Sequence, residues 1–335
     1  MVDRADPTTG ELHIAQLRAI GTLDEIYPFL SKASLGSGWK RPEPSIWANP
    51  SKSPKQAFLP AQWRATVARA ALDSAARLNV DTVMAERRNL IMVNPLEGNI
   101  YATVRTLISA YQLVLAHETA RSHRHSPNAL RLVLDAAPKA YTVVNGKNIP
   151  MESGDVLLTP NGAWHGHDNQ SDHDAFWIDF LDVPTVQLLE PMFLEMYEEA
   201  HGDWLEKAAE VDAQSPFRFA WSVDRERLAK QPETTPGWRE LELGPPRLDT
   251  IMLTRWGLDA GATAKPVVST ANSVVAVVEG EGSAVIDGKT FVWQRGDVHA
   301  VPAWKPYSFT AKTPASLLRV SDEALLKRLN WYRTA

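Results

Sequence analysis

The residues best equipped to do chemistry are histidines. His123-Arg124-His125 forms one pair, and a third, His165, follows a turn reading Gly154-Asp155-Val156-Leu157-Leu158-Thr159-Pro160-Asn161-Gly162-Ala163-Trp164. In a β-strand, residues i and i+2 point to the same face. His123 and His125 can therefore bind one ion together, and His165 arriving on another strand completes a three-sided set. The chain has no cysteine, which excludes disulfides, thiolate nucleophiles and Cys-ligated metals. A metal must then be held by His, Asp or Glu, a donor set that suits Fe, Mn, Ni, Cu or Zn. His167, two residues past His165, belongs on the same face and can exchange a proton near neutral pH. Arg131, six residues past His125, shares that face if the strand runs unbroken, and its guanidinium can grip a carboxylate in fork geometry.

Those side chains need strands and turns to carry them. From Met84 to about Asp182 short apolar runs alternate with turn residues, and the pattern returns from Asp249 to Val320. The two stretches are related. Asn145-Gly146-Lys147 and Asp287-Gly288-Lys289, Gly154-Asp155-Val156 and Gly296-Asp297-Val298, and Pro160 and Pro302 all stand 142 residues apart. Three matches in one register argue for an internal duplication, and short strands with Gly, Asn and Asp turns fit a jelly-roll barrel for each copy. The predicted fold is mainly β: two jelly-roll β-barrel domains with a helical N-terminal arm and a helical linker. The boundaries read from the pattern are an arm over 1–84, a metal-binding barrel over 85–185, a linker over 186–248, a second barrel over 249–320 and a terminal helix over 321–335. At the same offset His165 falls on Tyr307 and Asn169 on Ala311, and with two residues of slippage the His-x-His pair falls near Val267-Val268-Ser269. The second copy has no candidate ligand left, so it is expected to support the fold or a subunit interface.

Outside the barrels, helical spacing over residues 11–30 predicts a short amphipathic helix, and Gly38 to Trp47, rich in Pro and Trp, reads as extended. A helix is expected over Ala61 to Leu78 behind Pro60, another from Val183 to roughly Glu210, and a last one capped by Ser321. The net charge of -5, with both signs scattered, gives no electrostatic case for nucleic acid or an anionic membrane surface. No apolar run approaches the roughly 18 residues that span a bilayer. The N-terminus lacks the basic and apolar regions of a signal peptide, so a cytoplasmic location is the expectation.

The motif Gly154-x5-Pro160-x-Gly162-x2-His165-x3-Asn169 resembles the second cupin motif, and His117-x5-His123-x-His125 resembles the first, with His117 in place of the usual Gly. The Glu that normally serves as a fourth ligand would fall on Ala129 or Leu130. The site implied is three-His, with up to three positions of an octahedral ion open. A longer match is more specific. Ala85-Glu86-Arg87-Arg88, Gln112, His123 to Arg131, the Gly-Asp-Val-Leu-Leu-Thr-Pro run, Trp164 to His167, and Trp177-Ile178-Asp179-Phe180-Leu181-Asp182 resemble gentisate and salicylate 1,2-dioxygenases. That resemblance implies a bicupin, commonly homotetrameric, with Fe(II) on His123, His125 and His165. It implies an aromatic hydroxy acid that chelates the iron beside dioxygen and is cut between its carboxyl- and hydroxyl-bearing carbons. It assigns Arg131 to the substrate carboxylate, Arg87 to a second such role (with Arg88 the alternative), Gln112 to the chelating oxygens and Trp177 to the pocket wall. His167 becomes the proton carrier, and Asp179 orients a ligand or His167. The chain departs from the gentisate type at Ile108-Ser109, where an aromatic and a small residue are common, and at Val114 to His117, where Gly-Pro-Gly is usual. Gentisate, salicylate and 5-substituted salicylates such as 5-nitrosalicylate stay open as substrates. Two other readings stay open as well: a Zn- or Mn-dependent cupin isomerase or hydrolase, and a non-catalytic aromatic-acid-binding cupin.

Overall fold

The computed structural model describes residues 18–32, 35–36, 57–80, 87–197, 210–245 and 247–335. It divides into two units, 1–55 and 56–335. In the first, the described element is helix α1 (Leu23–Lys32), which accounts for the C-terminal part of the helix expected over 11–30. Residues 11–17 and the Pro- and Trp-rich stretch lie outside the described residues.

The second unit begins with β1 (Ala61–Trp63) and α2 (Ala65–Arg77). The first barrel follows as β2 (Arg88–Ile91), β3 (Ile108–Val114), β4 (Thr119–His125), β5 (Ala129–Asp135), β6 (Ala140–Val144), β7 (Lys147–Pro150), β8 (Val156–Thr159), β9 (His165–Asn169) and β10 (Ala175–Leu181). The connector holds α3 (Val183–Leu189), β11 (Leu194–Met196), β12 (Arg218–Phe219), α4 (Trp221–Ala229), β13 (Glu233–Thr235) and β14 (Trp238–Glu242). The second barrel comprises β15 (Met252–Leu258), β16 (Thr263–Ala264), β17 (Ser273–Glu279), β18 (Glu281–Ile286), β19 (Lys289–Gln294), β20 (Val298–Val301), β21 (Tyr307–Ala311) and β22 (Ala315–Ser321), and α5 (Glu323–Arg328) comes last.

In the first barrel the sheet β12-β8-β5-β10-β3-β2 faces the sheet β11-β4-β9-β6-β7. In the second, β1-β20-β17-β22-β15-β14-β13 faces β16-β21-β18-β19. The segments leading into each barrel are exchanged. β1 pairs with β20 of the second barrel while α2 packs on β2 and β3 of the first. β12 pairs with β8 of the first barrel while α4 packs on β14 and β15 of the second. Reciprocal bonds pin the exchange. The amide of Ala65 at the start of α2 donates to Asp297 at 3.0 Å, and that of Trp221 at the start of α4 donates to Asp155 at 2.8 Å. Gly296 and Gly154, one residue before those aspartates, have φ of 85° and 89°. A Cβ at either would lie 2.7 Å from Ala65 or 2.6 Å from Trp221, so the turn needs glycine for both conformation and space.

Between the barrels lies the main apolar core, to which both contribute. Strands β3, β5 and β10 are buried on both faces, and their alternation sorts the side chains. Tyr111 and Leu113, Leu130, Leu132 and Leu134, and Phe176, Ile178 and Phe180 enter the shared core. Their neighbours Gln112, Arg131, Trp177 and Asp179 are left to the interior of the first barrel. Each buried Leu, Ile or Phe contributes roughly 1.5 to 3 kcal/mol, so the apolar half of each strand stabilises the placement of its polar half.

Three local expectations change. Ala61–Trp63 is a strand rather than the first turn of a helix, because pairing with β20 outweighs local propensity, and the helix begins at Ala65. The helix from Val183 ends at Leu189, where Glu190 adopts φ 67° and Pro191 follows, and β11 comes next; residues 198–209 lie outside the described ones. Arg131 is not on a continuation of the His123–His125 strand. The chain turns at 126–128, so Arg131 reaches the same interior from the opposite sheet. Among the described residues, no helix is long and apolar enough to cross a membrane.

Candidate metal centre and active site

His123 and His125 lie at the end of β4, and β9 brings His165 directly opposite His123 in the ladder. Their potential ligand atoms fall within 4.8 Å of one another, the only such group of three or more His, Asp or Glu among the described residues. Each ring is oriented by a backbone carbonyl. Nδ1 of His123 faces Arg121 O at 3.2 Å, Nδ1 of His125 faces Pro127 O at 2.9 Å, and Nδ1 of His165 faces Ala163 O at 2.9 Å. A carbonyl only accepts, so Nδ1 carries the proton and Nε2 keeps its lone pair. Burial pushes His125 down to about 4 and His165 well below its ordinary value, with the neighbouring histidines adding to both shifts. Both shifts favour the neutral imidazole, the form that binds metal, at His125 and His165. Ala129 and Leu130, where a fourth ligand would fall, are buried and apolar. The donor set present therefore fits a three-His divalent ion with open positions.

Facing the histidines from the other sheet is a carboxylate with three partners. Asp179 is 2% exposed and stands opposite Arg131 in the β10–β5 ladder. Its Oδ2 accepts from Arg87 Nη2 at 3.2 Å, and its Oδ1 accepts from the Trp177 indole at 2.8 Å and lies 3.4 Å from Arg131 Nε. Arg131, 1% exposed, also donates to the hydroxyls of Thr142 at 2.9 Å and Thr159 at 3.1 Å. Burial brings its pKa down to about 10 against the pull of Asp179, and it remains a cation at neutral pH. Arg87 Nε donates to Gln112 Oε1 at 3.0 Å. Arg88 points the other way, to both oxygens of Glu118 at 2.7 and 2.9 Å, so of the two arginines Arg87 serves the interior. Asp179 thus orients two guanidinium groups and an indole; its hydrogen bonds do not go to His167.

His167 is buried beside Trp177, with ring centroids 4.5 Å apart, and neither of its nitrogens has a hydrogen-bond partner. Burial, then Arg131 and Arg87, holds its pKa well below the ordinary value. An orphaned neutral imidazole in a polar interior is poised for a group that a ligand brings. Trp164 packs against the Arg124 guanidinium, 4.6 Å from its ring centroid, and against Tyr197, edge-on at 5.0 Å. His117, in the place of the usual cupin glycine, adopts φ 59° and pairs with Asp172 at the surface. The residues that sequence reasoning passed over are Thr142 and Thr159. Thr159 sits inside the matched Gly-Asp-Val-Leu-Leu-Thr-Pro run, but nothing in a linear reading couples it to Arg131.

Residues 110–182 match the cupin domain family. Over 84% of this chain and 88% of its own length, gentisate 1,2-dioxygenase 1 of Aquipseudomonas alcaligenes is 32% identical. The chain belongs to the gentisate and salicylate 1,2-dioxygenase family. It is an aromatic ring-cleaving 1,2-dioxygenase with two cupin barrels. A 5-aminosalicylate 1,2-dioxygenase from Comamonas is 29% identical over 93% of this chain and 89% of its own. The crystal structure of salicylate 1,2-dioxygenase from Pseudaminobacter salicylatoxidans superposes with a TM-score of 0.81 at 28% identity, covering 93% of this chain and 97% of that one. Within this ring-cleaving dioxygenase, the three-histidine cluster and the Arg87–Asp179–Arg131 network share one barrel interior, and the second barrel has neither.

Proposed function

We propose that the chain is an Fe(II)-dependent dioxygenase that opens a salicylate-type aromatic hydroxy acid between its carboxyl- and hydroxyl-bearing carbons. Gentisate, salicylate and 5-substituted salicylates such as 5-nitrosalicylate are the candidate substrates. One juxtaposition carries the reading: three clustered imidazoles whose Nδ1 atoms face backbone carbonyls share a barrel interior with two guanidinium groups fixed by a buried carboxylate. Such a pairing suits an anion that must be held beside a metal. Fe(II) held by His123, His125 and His165 supplies the one-electron chemistry through which dioxygen reacts with a closed-shell ring.

The chain's own residues do the rest. Arg131 and Arg87 supply the positive charge that binds the carboxylate, and Asp179 keeps the two from repelling each other. Gln112 spends its carbonyl on Arg87, which leaves its NH2 to donate to the substrate's chelating oxygens. His167, neutral and unpartnered, is placed to accept the proton of the ortho-hydroxyl once the substrate's carboxylate offsets the charge of Arg131 and Arg87 that holds its pKa down. Trp177 walls the interior. Ile108 and Ala110 alternate with Gln112 on the inner face of β3, and Leu181 stands opposite Ile108; together they offer an aliphatic surface to the ring where an aromatic side chain is common. That change favours a substituted salicylate.

The deciding experiment is anaerobic Fe(II) loading followed by oxygen uptake across gentisate, salicylate and 5-amino-, 5-nitro- and 5-chlorosalicylate. One dioxygen consumed per acid lost is the expected result. Loss of acid without oxygen uptake overturns the reading in favour of Lewis-acid chemistry. We also read the chain as a homo-oligomer, a tetramer by resemblance, which light scattering of the purified protein checks.

A further inference from the structure

Asp182 follows β10 directly and is buried. Its Oδ1 accepts the backbone N–H of Asn128 at 2.8 Å. Its Oδ2 accepts the Asn128 side-chain amide at 3.3 Å and the hydroxyl of Thr250, a residue from the segment entering the second barrel. The N–H of Asn128 belongs to the same peptide group as the carbonyl of Pro127, and that carbonyl accepts Nδ1–H of His125 at 2.9 Å. One planar peptide therefore has a carboxylate on its N–H and a metal-binding imidazole on its carbonyl.

We propose that Asp182 is a positioning residue for the metal centre, acting on His125 through the Pro127–Asn128 peptide. A hydrogen bond from an amide to a carboxylate is charge-assisted, and successive hydrogen bonds polarise one another. The carboxylate makes the Pro127 carbonyl a stronger acceptor, which fixes the tautomer and angle of His125 and raises the basicity of its Nε2. Outer partners of metal-binding histidines usually act directly, as a carboxylate or a carbonyl; here the carboxylate acts one peptide away. The same clamp reaches a second ligand. Asn128 Oδ1 accepts the N–H of Asn161 at 3.0 Å, the Asn161 side chain donates to Ser126 O, and Gly162 N donates to His125 O at 3.0 Å. The turn that delivers His165 is thereby tied to the end of β4.

The second barrel holds a copy of the clamp with no ligand attached. Asp322 accepts from Asn272 N and Nδ2, both at 2.8 Å, and from Thr106 Oγ1 at 2.6 Å. Thr106 precedes β3 of the first barrel as Thr250 precedes β15 of the second, so the two clamps latch the barrels reciprocally. In that copy Ala271 and Ser269 stand where Pro127 and His125 stand in the first. The latch is common to both barrels, and coupling to a metal ligand belongs to one of them. The inference rests on the three-histidine metal reading.

Asp182→Asn and Asp322→Asn form a matched pair. The apoproteins are titrated anaerobically with Fe(II) and, for its visible spectrum, Co(II), against a competing chelator, and melting temperatures are recorded without metal. Asp182→Asn is expected to weaken metal binding by about 10- to 100-fold and to shift the Co(II) bands, while Asp322→Asn leaves affinity and spectrum unchanged. Should Asp182→Asn fail to fold, Thr250→Val against Thr106→Val makes the same comparison, with weaker metal binding expected only in Thr250→Val. Unchanged binding in the Asp182 or Thr250 variant, or equal weakening in both members of a pair, overturns the assignment while leaving the metal reading standing. A wild-type chain that holds no divalent ion overturns both.

Discussion

Strand β9 opens on His165 and reaches His167 two residues later; its counterpart β21 opens on Tyr307 and reaches Phe309. The fifth residue of β3 is Gln112 and that of β15 is Trp256; the third of β5 is Arg131 and that of β17 is Val275. On β10 and β22 the third and fifth positions are Trp177 and Asp179 against Leu317 and Arg319. Six inner positions that carry imidazole, amide, guanidinium, indole or carboxylate in one barrel thus carry mostly aromatic or aliphatic groups in the other. Trp256, Val275, Tyr307, Phe309 and Leu317 all join one buried cluster there. The strand lengths match while the contents do not. A barrel that fills its interior with apolar side chains gains close packing. One that lines it with charges bears a desolvation cost and needs support from elsewhere. The shared inter-barrel core and the reciprocal latches supply that support.

The comparison breaks most plainly at the ligands. Replacing His123, His125 or His165 by Ala is expected to abolish metal retention and oxygen uptake together, whereas Tyr307→Phe leaves both intact. Metal analysis alongside an oxygen electrode checks this, and turnover by a metal-free variant would end the assignment. In the second barrel, Phe309→Ala should cost about 3 to 5 kcal/mol of stability by denaturant unfolding, with metal stoichiometry unchanged. If metal is lost as well, the barrels are not divided as described. Arg131→Ala should weaken binding of the acid by roughly 2 to 5 kcal/mol, read as a raised KM; unchanged KM and kcat would remove Arg131 from the site.

The effect that is smallest at neutral pH concerns protonation. His299, buried between Phe291 and Phe309, is pushed by burial down to about 3. Below the ordinary histidine value near 6.5 the unfolded chain takes up a proton that the folded one refuses. Stability therefore falls on acidification from that value towards 3, by up to about 1.4 kcal/mol per pH unit from this group. His299→Leu should remove that share of the slope, and an unaltered slope would show that His299 is charged or exposed.

Much of this was legible along the chain because it depends on short spacings. The His-x-His pair works through the two-residue repeat of a strand, and the Gly-Asp turns and the 142-residue offset survive in linear order. Choosing between Arg87 and Arg88 was not legible, because it depends on the phase of a strand whose pairing partner, β3, lies some twenty residues away. Arg131 was placed in the right interior by a step that assumed an unbroken strand; the turn at 126–128 brings it there from the opposite sheet. The exchange of β1 and β12 between barrels left no local trace, since both are short strands defined only by what they pair with.

The sequence by itself determined which three histidines gather, the duplication, their absence from the second copy and the absence of any thiolate alternative, because each follows from residue identity and near spacing. The tertiary structure alone decided that Asp179 gathers Arg87, Arg131 and Trp177, and that Asp182 reaches His125 through a peptide. Hydrogen bonds join atoms that are close in space, and the inner faces of strands from two sheets meet only after the shared apolar core has fixed their register.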